Sequence, residues 1–250
     1  GGKLKELIIK DQSQKEKLLS EIAYEHECSE RNACDVELLI VGAFSPLEGF
    51  MKEDDYISVI KNHRNKNGLL FGLPIVLDTD NTEIKKGDKI LLSFKGQRLA
   101  VMDIDSKWEP DKSSEAKFCY GTNSIDHPAV KMIFQERGRF YLGGKIFGFE
   151  LPKRDFPCKT PKEVRSNLPP YYDVVAFQCR NPIHRAHYEL FTNSLSAENV
   201  SKDSIVLVHP TCGPTQQDDI SGKVRYQTYK KLSEEISNKK IYWAFLPYSM

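Results

Sequence analysis

The rhythm of apolar and polar positions changes between residues 150 and 170. Before that stretch it favours short extended segments: Pro74–Leu77, Lys89–Phe94 and Arg98–Ile104 are strand-like, and Lys95-Gly96-Gln97 reads as the hairpin loop between the last two. A polar helix is expected nearer the start, over about Gln14–Tyr24. After residue 170 strands and helices alternate. The run Val174–Phe177, short and partly β-branched, predicts a buried strand. Ile183, Ala186, Leu190, Phe191 and Leu195 then recur at helical spacing, predicting a helix over about Ile183–Ala197. A strand over Ile205–Val208, a helix over about Lys223–Ser237 with Tyr229, Leu232 and Ile236 on one stripe, and a strand over Ile241–Phe245 complete the series. Such alternation predicts a parallel α/β sheet. Between the two regimes, Pro152, Pro157, Pro161, Pro169 and Pro170 stand among charges and predict a linker.

Composition narrows the function classes. The 250 residues suffice for one or two domains with a sizeable core, and a net charge of +1 with 28% charged residues gives no bias toward nucleic acid or membrane. The basic run Lys61–Lys66 lies close to Glu53, Asp54 and Asp55, so it reads as a solvated loop or domain-facing surface rather than an RNA site. No apolar run is long enough to span a bilayer. The leading Gly1-Gly2 offers neither a signal core nor an initiator Met and reads as a remnant of expression, which is compatible with removal of a targeting segment. Six scattered cysteines without C-x-x-C spacing point to a reducing compartment.

The densest chemistry lies in Phe177-Gln178-Cys179-Arg180-Asn181-Pro182-Ile183-His184-Arg185-Ala186-His187. It follows a predicted strand and opens a predicted helix, with Asn181 expected as the N-cap and Pro182 at the first helical position. A helix N-terminus presents free amide hydrogens and the positive end of the peptide dipoles, which suits phosphate or sulfate. Arg180 can grip an oxyanion through two donors, and His184 and His187, three residues apart, share a helix face. A zinc site drawing Cys179 and Cys212 together with His184, His187 and His209 is the sharper alternative, but the spacing matches no familiar zinc pattern and no metal site is expected. Each residue taken alone also has an ordinary structural use: amides in turn hydrogen bonds, the arginine in an ion pair, the histidines packed at a helix end.

Taken together, Gln178, Arg180, Asn181, Pro182, His184 and His187 spell Q-x-R-N-P-x-H-x-x-H, and in this the chain resembles the ATP sulfurylase (sulfate adenylyltransferase) family. Further segments resemble the same family in order: Val41–Met51, Tyr120-Gly121-Thr122 through His127-Pro128, Tyr141-Leu142-Gly143-Gly144, and Leu207-Val208-His209-Pro210 with Gly213. The resemblance implies an α/β plus β-rich architecture: a PUA-like N-terminal domain over residues 1–165, then the N-terminal part of a Rossmann-like nucleotidyltransferase catalytic domain over residues 166–250. Family members continue past Met250 into loops rich in Gly, Pro and Arg, so the chain is expected to be truncated at its C-terminus.

The implied reaction transfers the adenylyl group of ATP to sulfate, giving adenosine 5′-phosphosulfate and pyrophosphate, with Mg2+ accompanying ATP. The resemblance implies Gln178 and Arg180 as sulfate-binding, Asn181, His184 and His187 as binding the ATP phosphates, and Arg180, Asn181, His184 and His187 as catalytic. His209 is equally well read as a loop brace or a nucleotide contact. In Val41–Met51, Gly42 and Gly49 are expected to permit unusual backbone angles rather than to take part in chemistry. The implied setting is cytoplasmic, with the plastid as an alternative, and a homo-oligomer without nucleic-acid or membrane partners. Three other readings stay open: the sulfurylase portion of a bifunctional protein with an adenylylsulfate kinase, a catalytically silent nucleotide-binding module, and a nucleotidyltransferase that serves another acceptor.

Overall fold

The computed structural model describes residues 2–215 and 219–247. Its larger sheet is built from β1 (Tyr24–Glu27), β2 (Gly49–Phe50), β3 (Leu77–Thr79), β4 (Lys89–Phe94), β5 (Gln97–Asp103), β6 (Ser106–Trp108) and β7 (Phe140–Gly148). The strands run in the order β1-β4-β5-β7-β2, with β3 and β6 also paired to β7. Around them lie α1 (Gln12–Ser20), α2 (Glu30–Ile40), α3 (Glu53–Asn62), α4 (Lys112–Tyr120) and the single turn α5 (Pro128–Lys131). The apolar stripe of α2, Ala33, Val36, Leu39 and Ile40, is buried against Ile90, Leu92, Ala100, Met102 and Ile146. Each of the valine, leucine, isoleucine and methionine side chains among them contributes about 1.5–3 kcal/mol by leaving water.

Local rules explain several joints. Lys95 and Gly96 both have positive φ (49° and 76°), the backbone that a two-residue hairpin turn demands, and Phe94 pairs with Gln97 across them. Gly42 has φ of 81°, as its sequence setting suggests. Gly49 does not follow suit: it is needed for a close approach, since a Cβ there would lie 2.0 Å from the Gly144 carbonyl oxygen. The start of the chain is stitched into this domain, with Leu7 N–H donating to Ile40 O (2.8 Å) and Ile9 N–H to Gly148 O (2.8 Å).

Three expectations for this half are corrected. The polar helix is shifted to Gln12–Ser20, because Asp11 caps it by accepting from Gln14 N, and Tyr24 instead begins a strand. Pro74–Val76 is not strand; pairing with β7 begins only at Leu77. The proline-rich linker contains α6 (Pro161–Asn167), capped by a reciprocal Thr160–Glu163 box that outweighs the local proline count.

The second sheet is parallel, β8 (Asp173–Cys179), β9 (Ser204–Pro210) and β10 (Ile241–Trp243), in the order β10-β9-β8. The helices α7 (Arg185–Asn193) and α8 (Gly222–Glu235) cover one face, burying Phe191, Val206, Val208, Ile241, Cys179 and Tyr229. The opposite face, through Val174, Leu207 and His209, lines a cavity of about 880 Å3 shared with Leu38, Val41 and Leu70 of the first domain. β8 is therefore not the buried strand its composition suggests. It is the edge of the sheet and only one of its faces meets helices, which leaves Val174 46% exposed.

Candidate functional site: the turn from β8 into α7

The parallel sheet delivers the Gln178–His187 segment to the carboxyl end of β8, the edge at which open α/β sheets hold ligands. Gln178 and Arg180 leave the strand, Asn181–Ile183 form an irregular turn, and α7 begins at Arg185. His184, not Asn181, is the N-cap, extended at φ −101° and ψ 174° and without a side-chain cap bond. The expected asparagine cap loses to tertiary contacts. The Asn181 carbonyl, which an N-cap would offer to its own helix, accepts instead from the Tyr229 hydroxyl of α8 at 2.9 Å.

On one side of Asn181-Pro182, side chains are tied to the loop that follows β9. Gln178 Nε2 donates to Thr211 Oγ1 (3.1 Å) and to Cys179 O (3.3 Å). Arg180 Nη1 lies 3.5 Å from Asp219 Oδ2, a buried oxygen for which no hydrogen bond is formed among the described residues. The main chain reinforces this tie, Thr211 N–H donating to Cys179 O at 2.8 Å. On the other side, the His184 and His187 rings stack with centroids 3.9 Å apart and planes at 27°, as their three-residue spacing predicts. His187 also meets Phe177 at 5.8 Å, and its Nδ1 is buried without a partner among the described residues. Ahead of the histidines, α7 leaves its first amide hydrogens outside the intrahelical ladder, which opens with Tyr188 N–H to His184 O.

The surroundings set the chemistry. Burial pushes the Cys179 thiol up and holds Cys212 at about 12, so neither supplies a thiolate at neutral pH. Burial lowers His209, which pairs in register with Gln178 on the cavity face of the sheet, away from the stacked histidines. Among the described residues no three His, Cys, Asp or Glu side chains come together as a metal would require. What remains, among the described residues, is an assembly of amide, guanidinium, imidazole and main-chain N–H donors without a paired carboxylate. Such a set holds and orients anions; it does not move protons between two carboxyl groups.

Three contributors lie outside the motif: Thr211, Asp219 and Arg225, the last buried in α8 with its guanidinium on the carbonyls of Arg180 (3.2 Å), Thr211 (2.9 Å) and Gly213 (2.7 Å). The signal for Arg225 is present in the sequence, since it continues the Tyr229, Leu232, Ile236 stripe one turn earlier, where an apolar residue would be ordinary.

Comparison with known proteins follows the same division of the chain. Residues 1–151 match a family described as PUA-like domain, and residues 157–250 match one described as ATP-sulfurylase. The sulfate adenylyltransferase of Kluyveromyces lactis is 36% identical over the whole chain, which covers 51% of that protein. That of Phaeosphaeria nodorum is 38% identical over the whole chain and 45% of its own length. The chain thus spans about half the length of the curated relatives it matches. Among solved structures, a hexameric APS kinase from Thiobacillus denitrificans superposes with a TM-score of 0.78 at 23% identity, covering all of this chain and 46% of that one, which is a likeness of fold. The first match takes in more than half of the chain, which thus belongs to the PUA-like domain family, and the rest, residues 157–250, matches the ATP-sulfurylase family.

Proposed function

We propose that the chain carries the anion-binding part of an adenylyl-transfer site, where a sulfate oxygen attacks the α-phosphorus of ATP to give adenosine 5′-phosphosulfate and pyrophosphate. The observation that supports this most directly is the grouping of donors on one turn: Gln178 and Arg180 at the strand exit, stacked His184 and His187 at the helix start. Sulfate is fully ionised near neutral pH, so its attacking oxygen has no proton to lose and no general base is needed. The task is to hold two anions together against repulsion and to stabilise charge in the transition state.

In this reading Gln178 and Arg180 take the sulfate, which replaces the loosely held Asp219 carboxylate as the anion beside Arg180. Asn181 serves the phosphates near the reacting centre. His184 and His187 serve the phosphate chain and the departing pyrophosphate, to which the first amides of α7 are suited. Magnesium enters as part of the substrate, bound through the nucleotide, which fits the lack of a cation cage among the described residues. Six unpaired cysteines fit a reducing compartment, cytoplasm or plastid, and self-association into a homo-oligomer, read by light scattering, belongs to the same proposal. No helix among the described residues is long and apolar enough to cross a membrane.

The test is ATP formation from adenosine 5′-phosphosulfate and magnesium pyrophosphate by the protein at its natural length, with Arg180→Ala beside it. Activity that falls by about 100-fold or more in Arg180→Ala is expected, the usual size for losing one oxyanion donor. A folded parent that binds ATP but makes none would overturn the assignment in favour of a silent nucleotide-binding module.

A further inference from the structure

Arg225 is 1% exposed, yet no carboxylate among the described residues pairs with it. Its two terminal nitrogens donate instead to three main-chain carbonyls, those of Arg180, Thr211 and Gly213, while its Nε is buried without a partner among the described residues. A buried cation is costly unless it is hydrogen-bonded, and an apolar residue on this stripe would fill the space without that cost. One turn further on, the fully buried Tyr229 gives its hydroxyl to Asn181 O. Successive turns of α8 thus hold successive carbonyls of the turn after β8, and the first of them also holds both ends of the segment Thr211–Gly213.

Peptide geometry gives this grip a consequence on the other side of the turn. In a planar trans peptide the C=O and N–H point in opposite directions. With the Arg180 carbonyl drawn toward α8, the N–H of the same peptide, that of Asn181, is presented away from it. No hydrogen bond among the described residues takes up this N–H, Asn181 is exposed, and the following peptide has no N–H because Pro182 forms it. The cation on the carbonyl also polarises the peptide and makes its N–H a stronger donor.

We propose that Arg225, seconded by Tyr229, is a positioning residue for the anion site: it fixes the turn so that the Asn181 N–H is held out as a main-chain oxyanion donor beside the Arg180 side chain. It also locks that turn to the loop whose Thr211 hydroxyl receives Gln178. This rests on the adenylyl-transfer reading above and adds to it a donor and the group that aims it.

The experiment compares the natural-length protein with Arg225→Met, which keeps volume, Arg225→Lys, which keeps charge, and Tyr229→Phe, which removes one hydroxyl. Rates of ATP formation from adenosine 5′-phosphosulfate and magnesium pyrophosphate are measured well below each variant's melting temperature. Arg225→Met should lower kcat about 30-fold or more while KM changes less than about threefold, the mark of an interaction made in the transition state. Arg225→Lys should recover at least about a third of the parental kcat, and Tyr229→Phe should cost about three- to tenfold. A folded Arg225→Met within about threefold of the parental kcat overturns the proposal, because a purely structural residue would behave so. Should that variant not fold, Tyr229→Phe decides, and a parental kcat there overturns it. Should the parent itself be inactive, the adenylyl-transfer reading fails separately, and hydrogen exchange then judges the clamp. Arg225→Met must speed exchange of the amides at 180–181 and 211–213 and leave those of β10 unchanged; unaltered loops overturn it.

Discussion

Replacing Arg154 by alanine strands a charge in the interior. Arg154 lies in the segment joining the two domains, its side chain 12% exposed, and its Nε donates to Glu37 Oε2 at 3.0 Å while a second nitrogen reaches the same oxygen. Glu37 belongs to α2 and its side chain is 5% exposed. Burial already raises the Glu37 carboxyl above its usual range against the pull of Arg154. Removing one partner of a buried pair costs about 3–5 kcal/mol, because the survivor keeps its desolvation penalty without compensation. For a chain of this size that corresponds to a fall in melting temperature of about 6–20 °C at pH 8. The loss should depend on pH with a definite sign. A carboxyl whose folded pKa is raised has its stability fully present below the unfolded pKa and loses it as pH rises through the folded one. Without Arg154 the Glu37 pKa climbs further, so Arg154→Ala should lie much closer to the parent at pH 5 than at pH 8. Circular dichroism melts at both values read this out, with Glu37→Leu/Arg154→Met as a variant that removes both charges and should recover most of the loss. A variant as stable as the parent at pH 8, or equally impaired at both pH values, would refute the reasoning.

Two further perturbations act in the first domain. Gly49→Ala places a Cβ 2.0 Å from a backbone oxygen that cannot swing aside, so the β2–β7 pairing must open; a loss of about 3 kcal/mol or more by urea titration is expected, and a neutral outcome would contradict the close approach. Asp35 is raised from 3.8 to about 7, burial outweighing the attraction of Arg137 and Arg31. By the same sign rule the parent loses stability as pH rises from about 4 through 7, so Asp35→Asn should gain on it by about 2–4 kcal/mol at pH 8 and by little at pH 4. A difference that stays flat with pH would exclude this.

The alternating half of the chain was legible because its residues obey one rule each: β8, β9, α7 and α8 fall within a few residues of the periodic runs that predict them. The helix α2 was not read, because Asn32, Glu37 and Leu38 are buried along with its apolar stripe, so polar and apolar positions no longer mark outside and inside. Strand β7 was obscured by Gly143 and Gly144, which look like a turn but sit in a strand so close to its neighbours that a Cβ on Gly144 would lie 1.8 Å from Asp103 O. In the candidate site, Gln178, Arg180, Asn181, His184 and His187 could be named because they fall within one short segment. Thr211 and Asp219 could not, since only the return of β9 and α8 beside β8 brings them to the turn, and Arg225 is marked in sequence only as a charge on an apolar stripe, without its partners. The asparagine cap failed for the same reason, a local preference overruled by a tyrosine 48 residues away.

The stitching of Leu7 and Ile9 to Ile40 and Gly148 sets an order of assembly on the ribosome. At about 5–20 residues per second, about 140 residues separate the emergence of Ile9 from that of its last partner, a wait of about 7–30 s. For that interval the nascent first domain lacks its closing strand and exposes the sheet edge that Gly148 will fill. The parallel sheet, synthesised afterwards, therefore meets a finished neighbour, and the Arg154–Glu37 pair can form as soon as the joining segment clears the exit tunnel.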